Sequence, residues 1–213
     1  MPERYPGYDV LAKRDGLSWN EPTRSAIAAR LAIADEPRFF DIEAWQTLKA
    51  VCDRMVPQPA GRAQVPIAAM VDRKLADDAR DGFRPASLPP QREAWRRGLA
   101  ALDATARAQH EARFHTLAAA DQDRLLKAMQ QGKLDGPDWN DLPAATFFGA
   151  RLASDILSAY YSHPLAWSEM GFGGPASPRG YVRMGANRRD PWEAAEAKPG
   201  SEAEARREND RVR

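Results

Sequence analysis

The residues of this chain with types suited to chemistry are few: one cysteine, three histidines and one glycine-rich run. Cys52 stands in LKAVCDRM, on the apolar stripe of an expected helix. A lone cysteine forms no internal disulfide, holds no iron–sulfur cluster by itself and offers no haem attachment pair. Its setting reads as a small core residue rather than a nucleophile. His110 and His115 are five apart, which puts them on different faces of one helix. Glu111 and His115 could share a face, but two ligands do not make a metal site. No Glu-x-x-His pair occurs, so the di-metal carboxylate site of helical bundles lacks its motif.

His163 has a more distinctive setting, YYSHPLAW. Pro164 disfavours helical geometry at the residue before it, so a helix arriving through Tyr160 and Tyr161 should break there. With Trp167 close by, the ordinary reading is a helix-end cluster in which His163 bonds the backbone. The catalytic reading has no Ser-His-Asp or Cys-His arrangement to support it. The run GFGGPASPRG, Gly171 to Gly180, invites a phosphate-loop reading and fails it. Two prolines remove N–H groups, no Lys-Ser/Thr pair follows, and neither a preceding strand nor a following helix is expected. A gripping segment fits better. Pro175 and Pro178 stiffen it, and Gly173 and Gly174 permit close backbone approach. Phe172, Tyr181, Met184 and Trp192 are anchors, and Arg179 and Arg183 are multi-donor contacts. Such a segment should lie against something, either this chain's own helices or a partner, and both can hold at once.

The elements that must position this segment read as helices. Asn20 offers an N-cap, with Pro22 in the first turn, for a short helix to about Ala34. Asp41 caps a second, with Phe40 and Trp45 spaced as a hydrophobic staple. Ile42, Trp45, Leu48, Cys52 and Met55 form its apolar stripe. Ile67, Met70, Val71 and Leu75 share one face of a third. A long helix is expected from Pro90 to His110 through Trp95, Leu99, Leu102 and Ala106, and a shorter one ends at Gly132. The last runs from about Pro143 to Tyr160, with Phe148, Leu152, Ile156 and Ala159 on its stripe. No sustained period-two pattern appears. The expected fold is therefore all-α: a helical bundle with a C-terminal Gly/Pro-rich extended arm and a disordered tail. The expected division is an N-terminal arm with a short helix over 1–38, a bundle over 39–160, the arm over 161–195 and the tail over 196–213. In that tail, EAKPGSEAEARRENDRVR, an incipient helix after Ser201 has no large apolar face to bury.

Composition narrows the function. With 213 residues, 31 Lys+Arg and 30 Asp+Glu, the chain has a net charge of +1. Nothing in that balance matches the clustered surplus positive charge of a nucleic-acid surface, and no segment approaches a membrane span. The expectation is no nucleic acid and no direct membrane insertion. No apolar stretch follows the basic residues near the start, so the chain is expected to be cytoplasmic unless another subunit's signal exports it.

At these residues a resemblance appears. TLKAVCDRMVP, REAWRRGLAALDATAR, FHTLAAADQDRLLKAM and above all YYSHPLAWSEMGFGGPASPRGYVRM resemble the gluconate 2-dehydrogenase subunit 3 family, over roughly Phe39 to Trp192. The resemblance implies a non-catalytic small subunit without a cofactor of its own. Its partner would be a large flavoprotein of the glucose–methanol–choline class that carries FAD and oxidises gluconate or related sugars, often with a cytochrome subunit taking the electrons. Many members carry a twin-arginine export signal, which is not seen here, and Ala118 stands where a Ser cap is expected. On this reading the partner-binding residues are Tyr160, Tyr161, His163, Trp167, Phe172, Gly173, Gly174, Pro175, Arg179 and Tyr181. Two other classes remain open: an enzyme using His163 with Arg179 and Glu169, and a helical protein that self-associates through the arm. Activity of the pure chain lost in His163→Ala would mark the first, and a concentration-dependent mass the second.

Overall fold

The computed structural model describes residues 3–180, 189, 190 and 192–212. Its α-helices are α1 (Glu21–Leu31), α2 (Ile42–Met55), α3 (Ile67–Ala76), α4 (Gln91–His110), α5 (Ala119–Gln130), α6 (Ala144–Phe147), α7 (Ser154–Tyr161), α8 (Pro164–Met170) and α9 (Glu202–Asn209). Short 3-10 turns lie at Val10–Lys13 and Phe114–Thr116, and a π-helical turn, Phe148–Ala153, joins α6 to α7. Among the described residues there is no strand beyond one isolated bridge between Trp19 and Ser177. The fold is all-α. No helix among them is long and apolar enough to cross a membrane. The chain divides into two compact units: Ala34–Tyr160, and Met1–Ile33 together with Tyr161–Arg213.

Within Ala34–Tyr160, α2 packs on α3, α4, α5 and the Phe114–Thr116 turn. Asp41 caps α2 as its sequence position implies, its carboxylate accepting the Ala44 N–H at 2.8 Å. Ile42 is exposed, so the buried stripe begins one turn later, at Trp45, and runs through Leu48, Val51 and Cys52. Burial pushes the Cys52 thiol well above its usual range, as befits a core residue. In the middle of the unit, Trp95 of α4 meets the Phe147 ring edge-on at 5.7 Å. Two buried carboxylates tie helices together. Asp155 of α7 accepts from the Trp95 indole at 2.7 Å and from Lys74 of α3 at 2.8 Å. Asp72 of α3 accepts three successive backbone N–H groups, those of Arg38, Phe39 and Phe40, at 2.6, 2.9 and 3.0 Å. Those donors precede α2 and would otherwise be buried unpaired, at about 1–3 kcal/mol each.

The other unit joins segments that the sequence presents as separate. Tyr8, Val10, Trp19 and Ile27 from the start of the chain share one core with Trp167 and Val212. The expected lead-in therefore contributes core residues, with Asp9 capping the Val10–Lys13 turn through the Leu11 N–H. Asn20 caps α1 by accepting from Thr23 N–H at 3.1 Å.

The tail corrects the expectation of disorder, because α9 forms there. Its buried residues are Ala205, Asn209 and Val212, spaced four and three apart on one face. Asn209 supplies what the small apolar face lacks. Its amide group donates to the backbone carbonyls of Pro6 and Ala195, both at 3.0 Å, and its oxygen accepts the Ala195 N–H at 2.6 Å.

Candidate functional site

The segment from Tyr161 onward was expected to be extended, but α8 interrupts it, and its two ends explain why. The helix α7 does break before Pro164. His163 then sits in extended backbone geometry as an N-cap, its Nδ1 accepting the Leu165 N–H at 3.3 Å, and Pro164 takes the first helical position. Seven residues later Gly171 turns left-handed, at φ 69°. The Phe172 N–H bonds back to the Trp167 carbonyl at 2.9 Å and the Gly171 N–H to that of Ser168 at 3.4 Å. This is a Schellman ending, and its usual apolar contact is present: the Phe172 and Trp167 rings meet edge-on at 5.8 Å. HPLAWSEMGF thus encodes one short helix with both ends specified.

Beyond α8, the glycine-rich run lies on the N-terminal segment of the chain. The Tyr8 hydroxyl donates to the Phe172 carbonyl at 3.2 Å and Lys13 Nζ to that of Gly173 at 3.0 Å. The Trp19 indole donates to the Pro175 carbonyl at 2.9 Å, and the Asn20 N–H to that of Ser177 at 2.7 Å. The glycine at 174 is required twice over: φ is +68°, and an added Cβ would stand 2.6 Å from a Val10 methyl. Arg179 donates to the Ser18 hydroxyl at 3.1 Å and stacks over the Trp192 ring at 4.1 Å. The reading in which the segment wraps its own chain therefore holds through Arg179. Tyr181 lies outside the described residues.

The electrostatics of the buried groups follow from this packing. His163 is 3% exposed. Burial, and then the nearby positive charge of Arg30, lower its pKa to about 4, so it is neutral at pH 7. Arg30 also donates to the Ser162 carbonyl at 2.6 Å and lies over the Trp167 ring at 5.8 Å. Trp167 is buried, its indole N–H bonded to the Tyr161 carbonyl at 2.7 Å. Lys13 is fully buried. Burial and then the charge of Arg179 lower its pKa to about 8, with Glu193 opposing. The sequence reading missed Lys13, Tyr8 and Trp19. The only local signal was their placement in YDVLAKRDGLSWN, a lead-in too rich in aromatic residues for a solvated leader.

Burial therefore sorts the candidate residues. His163, Trp167 and Gly174 are interior, whereas Gly173, Pro175 and Arg179 are half-buried and bonded within the chain. Tyr160, half-buried, sits near the end of α7. Tyr161 is 54% exposed and Phe172 44%, and Met170, which the sequence reading did not single out, is 38% exposed. No group of three or more His, Cys, Asp or Glu among the described residues is placed to hold a metal ion.

No curated protein and no solved structure matches this chain. The family model described as gluconate 2-dehydrogenase subunit 3 matches residues 42–174, more than half of the chain. The match begins in the first turn of α2, crosses the whole helical bundle, includes all of α8 and ends at the glycine that packs on Val10. On that match, the chain belongs to the gluconate 2-dehydrogenase subunit 3 family.

Proposed function

We propose that this chain is a non-catalytic subunit that binds and stabilises the flavin-dependent, glucose–methanol–choline type subunit of a gluconate or sugar dehydrogenase. FAD and substrate would reside in that partner, and a cytochrome subunit would take its electrons. Membership of the family supports the association with a dehydrogenase. The observation that carries the binding role is the sorting of side chains within Tyr161–Phe172. His163 and Trp167 are locked inside by the cap and the indole bond, while Tyr161, Met170 and Phe172 stay exposed on the same short segment. A segment ordered from beneath loses little entropy on docking, and exposed aromatics on such a support are favourable anchors. His163 serves as a helix cap and, at 3% exposure, presents almost nothing to a substrate.

The test is co-purification of the full chain with its partner from the native host, read by mass and by the visible flavin spectrum. Tyr161→Asp combined with Phe172→Asp should reduce recovery of the yellow partner by at least about tenfold. The melting temperature of the isolated chain should stay within a few degrees of the unmodified one, because both side chains are exposed. Undiminished recovery would remove these residues from the interface. A colourless, solitary chain in every preparation would overturn the subunit reading itself.

A further inference from the structure

A groove of about 480 Å³ opens where the loop between α3 and α4 meets the start of α4 and the π-helical turn. Its lining carries four guanidinium groups, from Arg80, Arg84, Arg92 and Arg151, against two carboxylates, Asp78 and Asp81. Those carboxylates are already engaged. Asp78 pairs with Arg80, while Asp81 is shared between Lys74 at 2.5 Å and Arg151 at 2.9 Å. Arg84 and Arg92 carry no ion pair among the described residues; Arg84 donates to the Leu88 carbonyl and Arg92 lies over the Phe39 ring at 4.9 Å. The groove is therefore left with surplus positive charge in a chain that is almost neutral overall.

Two independent features point that charge at a ligand. Pro90 precedes α4 and provides no side-chain cap, so the first N–H groups of a 20-residue helix, at Gln91, Arg92 and Glu93, have no side-chain acceptor. Pro90, Gln91 and Arg92 all line the groove. An uncapped helix start favours an anion through both its N–H groups and its dipole. The second feature is Arg151, which lines the same groove while only 4% exposed. Its Nη1 and Nη2 bond Asp81 and the Phe83 carbonyl, but its Nε is buried without a hydrogen-bond partner. Buried guanidinium donors are rarely left unpaired, because the desolvation cost goes unrecovered. Phe83, 78% exposed at the groove, adds apolar surface for the uncharged part of a ligand.

We propose that this groove is a binding site for a small oxyanion, a carboxylate or phosphate group on a soluble molecule, held by the start of α4 together with Arg84, Arg92 and Arg151. Arg151 and Arg84 supply fixed charge, and the α4 N–H groups supply direction. The site lies wholly within Ala34–Tyr160 and does not depend on the docking role of the α8 segment.

The test is titration of the ¹⁵N-labelled full chain with inorganic phosphate and, separately, with succinate, at ionic strength held constant with chloride. Saturable shifts of the Gln91, Arg92 and Glu93 amides are expected for at least one anion, with a dissociation constant of about 1 mM or tighter. Response to phosphate alone assigns the phosphate class, response to succinate alone the carboxylate class, and response to both the shared oxyanion chemistry. Arg84→Gln, on the exposed loop, should weaken binding about tenfold. Arg151→Lys should do the same where it folds, and Arg84→Gln decides where it does not. Linear, unsaturated shifts with both anions, or unchanged affinity in Arg84→Gln, would overturn the proposal.

Discussion

At the scale of single residues, His163 and Lys13 show how the glycine-rich segment is held and how pH should act on it. Both are buried, and burial lowers both pKa values, His163 to about 4 and Lys13 to about 8. Each therefore releases its proton more readily in the folded chain than in the unfolded one, so stability rises with pH across each window. For His163 the contribution is complete above its ordinary value of 6.5 and is lost as pH falls from 6.5 towards 4. The whole window is worth at most about 3 kcal/mol. For Lys13 the cost of burying a charge is present below 8 and is relieved as pH rises towards 10.5. His163→Asn is the informative variant, because asparagine can still cap α8 but does not titrate. Urea midpoints of the unmodified chain should fall between pH 6.5 and 4 more steeply than those of His163→Asn. Parallel curves would assign the acid loss to carboxylates and leave His163 without a part in it. Lys13→Met should in the same way flatten the rise between pH 8 and 10.5.

At the scale of elements, two glycines test whether packing or propensity governs the bundle. Gly98 lies within α4, where alanine ordinarily stabilises a helix by up to about 1 kcal/mol. Here an added Cβ would stand 2.2 Å from the Phe147 ring, a fully buried side chain with little freedom to move. Overpacking of that kind costs about 1–3 kcal/mol, so Gly98→Ala should lower the melting temperature. Gly149, in the π-helical turn, has nothing within 4 Å of its modelling-free Cβ position and is exposed, so Gly149→Ala should raise it. Equal signs for the two substitutions would mean that the Gly98–Phe147 contact does not hold in solution. These helices were legible in the sequence where cap and stripe agree: Asp41 before Trp45 and Leu48, or the three-to-four spacing from Trp95 to Ala106. The π-helical turn was not legible, since Phe148, Leu152 and Ile156 carry the same spacing whether or not the turn widens. Nor was α8, whose seven residues are too few for a periodic signal and whose cap is a histidine.

At the scale of the whole molecule, the difference between expectation and structure lies in contacts between the chain's two ends. Tyr8, Lys13 and Trp19 donate to carbonyls more than 150 residues away, and no local pattern announces such partners. The segment's need for a surface was readable from its aromatics and glycines; which surface it takes was not. The tail was misread for a related reason. Its buried face consists of Ala205, Asn209 and Val212, of which only Val212 registers as hydrophobic bulk, while Asn209 acts through hydrogen bonds to Pro6 and Ala195. Those bonds make the packed tail testable. Arg206, Arg207 and Arg211 are trypsin sites in or beside α9, and in a disordered tail they would be cut at once. In the folded chain, cleavage after Arg206 and Arg207 should be slow, and Asn209→Ala should speed it by at least about tenfold, since it removes three buried bonds at about 1 kcal/mol each. Rapid cleavage of the unmodified chain at these sites would show that the tail does not pack. Slow cleavage that Asn209→Ala leaves unchanged would shift the anchoring role from Asn209 to Val212.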